Sequence, residues 1–208
     1  MPSQSSIELE IAENKYKKNL EEAEKLGHKE GIADACGKLG TIYITLGYLD
    51  KAEDMFKKSL EMEEKLANKE GMASDYGYLG TVYQMRDDLE QAENMFKKSL
   101  EINQELGRKQ GMLTVYGKLA EIYYTRRDLD QAEAMFKKQL EMEEELDNKE
   151  AIAKIYGFLG DIHRLRLDFN QAEEMYKKSL QFFAATGAGH MVELMQEMLA
   201  NLKKRKVS

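Results

Sequence analysis

Proline is nearly absent from this chain of 208 residues, and tryptophan is missing altogether. The only proline is Pro2, so nothing in the body of the chain would interrupt a helix. A single cysteine, Cys36, cannot form a disulfide within the chain. We therefore expect a protein rich in uninterrupted helices that works in a reducing compartment, most simply the cytoplasm.

Long apolar runs and blocks of one charge are also missing. No apolar run approaches the roughly 20 residues that a membrane-spanning helix needs. The first residues lack the basic start and apolar core of a secretory signal. The net charge is −7, and acidic and basic residues alternate closely. Because a nucleic-acid surface needs a concentrated basic face, we expect neither nucleic acid nor a membrane as a partner.

What the chain has instead is a unit of 40 residues that occurs four times. The segment CGKLGTIYITLGYLDKAEDMFKKSLE begins at Cys36, and its counterparts begin at Tyr76, Tyr116 and Tyr156. A fixed period of this length is typical of one continuous stack of repeats rather than of separate globular domains.

Each unit predicts two helices. The first apolar stripe follows the i, i+3, i+4 spacing of a helix and consists of Ile32, Cys36, Leu39, Tyr43 and Leu46. A second stripe begins at Leu49, after a break at Gly47 and Tyr48. Neither stripe can be buried within one helix pair, so the pairs must stack. Small residues recur where helices would approach closely, at Gly40, Gly80, Ala120 and Gly160 and at Ala52, Ala92, Ala132 and Ala172.

The unit resembles the tetratricopeptide repeat (TPR) in its order of aromatic, Leu, Gly, Tyr, Ala and Phe, seen in Tyr76, Leu79, Gly80, Tyr83, Ala92 and Phe96. Its period of 40 is longer than the usual period of about 34 and is similar to that of Pins-type adaptors, kinesin light chains and many bacterial regulators. The resemblance implies an all-α fold, a right-handed α-solenoid of antiparallel helix pairs forming a TPR superhelix.

Some positions depart from the repeat pattern. Cys36 stands at an aromatic position, and His163 replaces the tyrosine. The turn glycine Gly47 becomes Asp87, Arg127 and Leu167 in the later units. A residue with a side chain is uncommon in a left-handed turn, so we expect these turns to be altered or slightly strained.

We predict a single TPR solenoid domain over residues 1–208. Both ends look capped, because Lys15 and Glu22 are charged where later units are apolar, and the last helix has one apolar face. The predicted parts are an N-terminal single helix (5–26), helix-pair repeats (27–66, 67–106, 107–146 and 147–186) and a C-terminal capping helix (188–206).

Nothing in the sequence resembles a catalytic or metal site. His28, His163 and His190 lie far apart in the repeat frame. Cys36 fills an apolar stripe, which favours an inert buried thiol. An enzyme would need a titratable cluster, for which Glu121 with Asp161 is the one pair to consider. We therefore predict a protein that is not an enzyme and that uses no metal or cofactor.

Lysine doublets such as Lys57-Lys58 recur in every unit and allow two interpretations. A basic stripe for nucleic acid is one of them. However, a glutamate such as Glu53 precedes the first lysine by four residues each time, the favourable orientation for an ion pair within a helix. We therefore expect a neutralised, exposed helix face.

One position varies between the units while the residues around it stay nearly constant. It is occupied by Lys38, Tyr78, Lys118 and Phe158 in the four units. It lies opposite the apolar stripe of the first helix, the side that lines the concave groove in TPR stacks. The family often has asparagine here, so a chaperone-type carboxylate clamp is not expected. The predicted partner-binding residues are Asp34, Lys38, Thr41, Thr45, Ser74, Tyr78, Thr81, Met85, Thr114, Lys118, Glu121, Thr125, Lys154, Phe158, Asp161 and Leu165.

These residues predict a protein-interaction module, a scaffold or adaptor that binds a peptide or helical segment in its groove. The lysines suggest acidic residues in the partner, and Tyr78 with Phe158 suggests apolar ones. A monomer is favoured over a homo-oligomer. The alternative is an engineered or self-assembling repeat scaffold without a natural ligand, since repeat arrays are highly designable.

The C-terminal basic tetrad adds an alternative for localisation. Lys203, Lys204, Arg205 and Lys206 resemble a short nuclear-import signal. The same cations would also complement the dipole of a helix that ends there. The cytoplasm stays the preferred prediction.

Overall fold

The computed structural model describes residues 4–207, and the side chains of residues 7–204. Within that part of the chain the secondary structure is ten α-helices and no strand. They are α1 (Gln4–Leu26), α2 (Lys29–Thr45), α3 (Leu49–Lys65), α4 (Lys69–Met85), α5 (Leu89–Glu105), α6 (Lys109–Thr125), α7 (Leu129–Glu145), α8 (Lys149–Leu165), α9 (Phe169–Thr186) and α10 (Gly189–Val207).

The chain divides into two compact units, one up to Val115 and one from Tyr116 onwards. In the first unit α1 packs on α2, α2 on α3, α3 on α4 and α4 on α5. In the second unit α7 packs on α8, α8 on α9 and α9 on α10. Each unit is thus built of antiparallel helix pairs stacked in chain order, and the predicted all-α repeat solenoid is confirmed. A single solenoid domain over residues 1–208 stays a prediction.

Turn residues set the helix ends. Asp88 starts α5 with its side chain accepting a hydrogen bond from the backbone N–H of Gln91, at 3.1 Å. The turns before α3, α5, α7 and α9 all adopt the left-handed conformation, with φ of 75° at Gly47, 62° at Asp87, 65° at Arg127 and 64° at Leu167. The expected strain at the residues that replace glycine therefore exists.

The recurring glycine of the first helix makes room for an aromatic ring of the second. A Cβ atom at Gly40 would lie 2.6 Å from the ring of Phe56, and one at Gly160 would lie 2.5 Å from the ring of Tyr176. Both rings are fully buried. These glycines thus leave no room for a side chain, and an aromatic ring rather than a helix backbone occupies the space.

Polar contacts link successive pairs. The hydroxyl of Tyr83 in α4 donates to Glu53 in α3 at 2.6 Å, and Lys57 pairs with the same carboxylate at 2.6 Å. Arg86 also pairs with Glu53. The predicted pair between glutamate and the first lysine forms in every unit, in Glu13–Lys17, Glu53–Lys57, Glu93–Lys97, Glu133–Lys137 and Glu173–Lys177. The doublets thus form an ion-paired face, as predicted.

The structure also describes the single cysteine, the possible metal ligands and the apolar character of the helices. Cys36 is completely buried, and burial raises the pKa of its thiol to about 11, so it is the inert thiol that the sequence predicts. Over residues 4–207, no three His, Cys, Asp or Glu side chains are grouped to hold a metal ion. In the same range, no helix is both long and apolar enough to cross a membrane.

Candidate functional site

The sixteen predicted partner-binding residues, which we call the variable face, lie on α2 and α4 and at Thr114 in the first unit, and on α6 and α8 in the second. None of the sixteen side chains is buried. The apolar stripes on the same helices are buried, with Leu39 and Leu79 almost fully enclosed. Whether the variable faces of the two units form one groove stays a prediction.

Tyr78 presents an exposed ring on a rigid support. It stacks on Phe56 of α3, with the ring centroids 4.8 Å apart and the planes 8° from parallel. Phe56 is itself fixed, because it is fully buried and lies against Gly40. The exposed fraction of Tyr78 is 41%. One face of the Tyr78 ring is therefore held by the fold and the rest is open to solvent.

Phe158 repeats this arrangement in the second unit. Its ring stacks on the buried Phe136 at 4.9 Å and 11°, and 36% of the residue is exposed. Tyr124 meets the Phe158 ring edge to face at 6.0 Å. Burial raises the pKa of the Tyr124 hydroxyl, so it stays protonated at neutral pH. Tyr78 and Phe158 are thus supported by stacking in the same way. The sequence alone did not indicate the rings on which they stack or the contact of Phe158 with Tyr124.

Two of the lysines on the variable face already have acidic partners. The ammonium of Lys118 lies 3.2 Å from the carboxylate of Glu121, and that of Lys154 lies 2.6 Å from Glu150. Lys38 is exposed and makes no ion pair with any described residue. An acidic partner group could therefore approach Lys38 directly, whereas at Lys118 and Lys154 it would have to compete with an existing pair.

Hydroxyl groups on the variable face bond to their own helices. Each donates to the carbonyl four residues earlier, as Thr41 does to Gly37 at 3.0 Å and Thr125 to Glu121 at 2.9 Å. Thr45, Ser74, Thr81 and Thr114 do the same. The donor hydrogen is used within the helix, so these residues offer a partner oxygen acceptors, and the threonines also offer methyl groups.

The two carboxylates considered for catalysis are held by separate cations. Asp161 accepts hydrogen bonds from Arg164 at 2.8 Å and from the hydroxyl of Tyr176 at 2.8 Å. Glu121 pairs with Lys118. Burial is the main cause that raises the pKa of Tyr176, which therefore remains a neutral donor. Each carboxylate therefore pairs with a cation three residues away on its own helix.

A buried carboxyl in the first unit was missed by the sequence reasoning. Asp75 of α4 is only 4% exposed and occupies a position that is alanine, valine or isoleucine in the other repeats. Burial raises the pKa of Asp75 to about 7. One oxygen of Asp75 and one of the neighbouring Glu63 have no hydrogen-bond partner among the described residues. Protonation of Asp75 would remove its buried charge and its repulsion with Glu63.

The hydroxyl of Ser59 acts to lower the pKa of Asp75, against the larger effect of burial. The Ser59 hydroxyl donates to the carbonyl of Ala33 at 3.2 Å, whereas Ser99 and Ser179 make the corresponding bond at 2.7 Å. A hydroxyl has a single hydrogen to donate. Because Ser59 donates this hydrogen to Ala33, its hydroxyl does little to offset the cost of burying an ionised Asp75.

The profile of the MalT-like TPR region matches residues 33–203, which is most of the chain. The chain belongs to this MalT-like TPR family. Among curated proteins, none matches the sequence of this MalT-like TPR protein. The TPR resemblance noted from the repeat is therefore confirmed at the level of the family.

Several solved structures share the fold of this MalT-like TPR protein. BtubC (BKLC) from P. vanneervenii is 18% identical with a TM-score of 0.70, over 96% of this chain and 92% of that one. A kinesin light chain-like protein with nearly identical TPR-like repeats, from Podosopora anserina, is 12% identical with a TM-score of 0.62, over 86% and 96%. A Rap protein complexed with Competence and Sporulation Factor is 17% identical with a TM-score of 0.66, over 95% of this chain and 59% of that one. At these identities the likeness establishes the fold alone.

Proposed function

We propose that this chain is a protein-interaction module whose variable face binds a segment of a partner protein. One observation carries the proposal. At the position that varies between repeats, an exposed aromatic ring stacks on a buried ring in both units, Tyr78 on Phe56 and Phe158 on Phe136. The scaffold explains the buried rings, whereas no packing requirement explains the exposed ones.

The stacked rings suit recognition because they are held before a partner arrives. A rigid aromatic side chain offers a large contact area and loses little conformational entropy on binding. The rings of Tyr78 and Phe158 are two separate contact sites, which suits a partner with at least two apolar side chains. A Rap protein of the same fold has been solved in complex with Competence and Sporulation Factor, which supports a protein-binding role for this fold.

We further propose that the partner is a peptide or helical segment that carries apolar residues, with acidic residues opposite Lys38. The segment would lie in a groove lined by the variable face, and binding would need no metal or cofactor. The TPR-type fold is typically a non-catalytic scaffold, and we propose a scaffold or adaptor role without enzymatic activity. The cytoplasm is the proposed location because Cys36 is a free thiol. The side chains of Arg205 and Lys206, half of the basic tetrad, lie outside the described residues.

The test is a selection of random peptides on the full chain, followed by affinity measurements on variants. Changing Tyr78 and Phe158 together to alanine should weaken the selected peptides at least tenfold, about 1.4 kcal/mol, which is modest for two anchor residues. The matched control changes Tyr48 and Leu146, exposed apolar residues outside the variable face. Equal affinity of both double variants would reject the proposal.

The alternative, an engineered or self-assembling scaffold without a ligand, predicts a different result. A selection on such a scaffold would return no peptide that depends on Tyr78 or Phe158. Self-assembly would also make the mass from light scattering rise with protein concentration, whereas an interaction module that works as a monomer gives a constant mass.

A further inference from the structure

The last helix of the second unit, α10, keeps the register of the repeats. It begins at Gly189, which is 40 residues after Lys149 at the start of α8. Its buried Met195 stands 40 residues after Ile155, which is buried in α8. Each residue of α10 can therefore be compared with the residue 40 positions earlier in α8.

Met198 of α10 occupies the variable position. It lies 40 residues after Phe158, whose ring stacks on the buried Phe136. Met198 is half-buried and packs against a buried cluster that contains Tyr176, the residue 40 positions after Phe136. The cluster that supports Met198 thus includes the counterpart of the ring that supports Phe158. A methionine at this place offers a partner an adaptable apolar surface.

Leu194 lies beside Met198 and is exposed. The two residues are four positions apart, so they are neighbours on the helix surface, and 39% of Leu194 is exposed. A helix that only closes a repeat stack is expected to be polar where it meets solvent. Gln196 and Lys203 of α10 follow this expectation. Leu194 does not, and between residues 189 and 204 it is the one large apolar side chain that is exposed.

The charge next to Leu194 is negative. Glu197 follows Leu194 by three residues, and Glu193 precedes Glu197 by four, both spacings of neighbours on a helix. Both glutamates are exposed, and neither forms an ion pair with any residue that the structure describes. Lys203 lies six residues after Glu197, about 9 Å along the helix axis. On α8, the counterpart of Leu194 is Lys154, which is already paired within its own helix.

We propose that α10 extends the variable face, and that Leu194 and Met198 contact an apolar side chain of the partner segment. A lysine or arginine next to that side chain pairs with Glu197. The inference rests on the proposed function, since it assigns further contacts to the same partner. Exposed charges contribute more to specificity than to affinity, so the apolar contact supplies most of the binding at α10. The sequence alone predicted α10 only as a capping helix.

The experiment uses the full chain and peptides selected on it from a random library, with affinities read by fluorescence anisotropy at pH 8, where an ordinary histidine is uncharged. We expect Leu194→Ala to weaken these peptides at least threefold, because it removes most of the exposed apolar side chain. Leu146→Ala, at an exposed leucine that follows α7 outside the variable face, is the matched control and should leave the affinities unchanged. Because Leu194 is exposed, its truncation removes no buried side chain.

A charge reversal tests the contact with Glu197. Glu197→Lys should weaken peptides that carry lysine or arginine at least threefold. Replacing the basic residue of the peptide by glutamate should then restore binding to this variant and weaken binding to wild type. Glu141→Lys makes the same change at an exposed glutamate of α7 and should leave the preference for the basic residue intact.

The outcomes separate this inference from the proposed function. Peptides that lose affinity when Tyr78 and Phe158 are both changed to alanine, but bind Leu194→Ala and wild type equally, would overturn the role of α10 and leave the interaction role standing. Peptides that bind that double variant as tightly as wild type would overturn both, as would a library that yields no peptide. Equal effects of Glu197→Lys and Glu141→Lys would show a general effect of charge and would overturn the pairing with Glu197.

Discussion

Removing the buried charge of Asp75 should stabilise the protein above neutral pH. The pKa of Asp75 rises from its ordinary value of 3.8 to about 7, mainly through burial. At about 1.4 kcal/mol per pH unit, this rise corresponds to a cost of about 4 kcal/mol for the ionised form. The change Asp75→Asn keeps the size and polarity of the side chain and removes the ionisation.

The sign of the pH dependence follows from proton binding. The folded state holds the Asp75 proton up to about pH 7, and the unfolded state loses it near pH 4. Between these values the folded state binds more protons, so its stability falls as the pH rises. Below pH 4 both states are protonated and the cost is absent. Above pH 7 the full cost applies.

We expect Asp75→Asn to raise the free energy of unfolding by about 2–4 kcal/mol at pH 8 and to change it little at pH 4. Urea unfolding followed by circular dichroism at intervals between pH 4 and 8 measures this difference. Asp54→Asn, at an exposed aspartate of α3, is the matched control and should follow the wild type at every pH. A stability difference between Asp75→Asn and wild type that stays constant from pH 4 to 8 would refute the reasoning.

Two further predictions concern stability. Burial acts to raise the pKa of Glu53, but hydrogen bonds from neighbouring cations and from Tyr83 outweigh it and lower this pKa to about 2. Glu53→Gln should therefore cost up to about 3 kcal/mol at pH 7, a difference that shrinks as the pH falls from 4.5 towards 2 in urea titrations; a cost that is independent of pH would contradict this origin. At the left-handed turns, Gly47→Ala should destabilise by about 1 kcal/mol and Leu167→Gly should stabilise, because the side chain disfavours that backbone conformation. Thermal unfolding of the pair tests this, and shifts in the same direction would contradict it.

The fold could be predicted because the same apolar spacing and the same small residues recur in all four repeats. The apolar spacing gives both helices of each pair, and Gly40 marks the place where the ring of Phe56 enters. The left-handed turns at Asp87 and Leu167 could be located from Gly47, since the register is fixed. The ion pairs between glutamate and lysine follow from a spacing within one helix.

Features that depend on contacts between helices could not be predicted as easily. The stacking of Tyr78 on Phe56 joins different helix pairs, and nothing in a single unit marks it. Asp75 breaks the apolar pattern at a position where the repeat gives no reason for a charge. Lys118 could be placed on the variable face, but its bond to Glu121 depends on side-chain conformations that a pattern does not specify.

The place where a bound peptide lies tests the central claim most directly. A peptide selected on the full chain, synthesised with a photoreactive benzophenone, can be cross-linked and its attachment sites mapped by mass spectrometry. If the variable face binds the peptide, we expect attachment to exposed residues of α2, α4, α6 and α8 next to Tyr78 and Phe158. Attachment concentrated on α3, α5, α7 and α9 would contradict it.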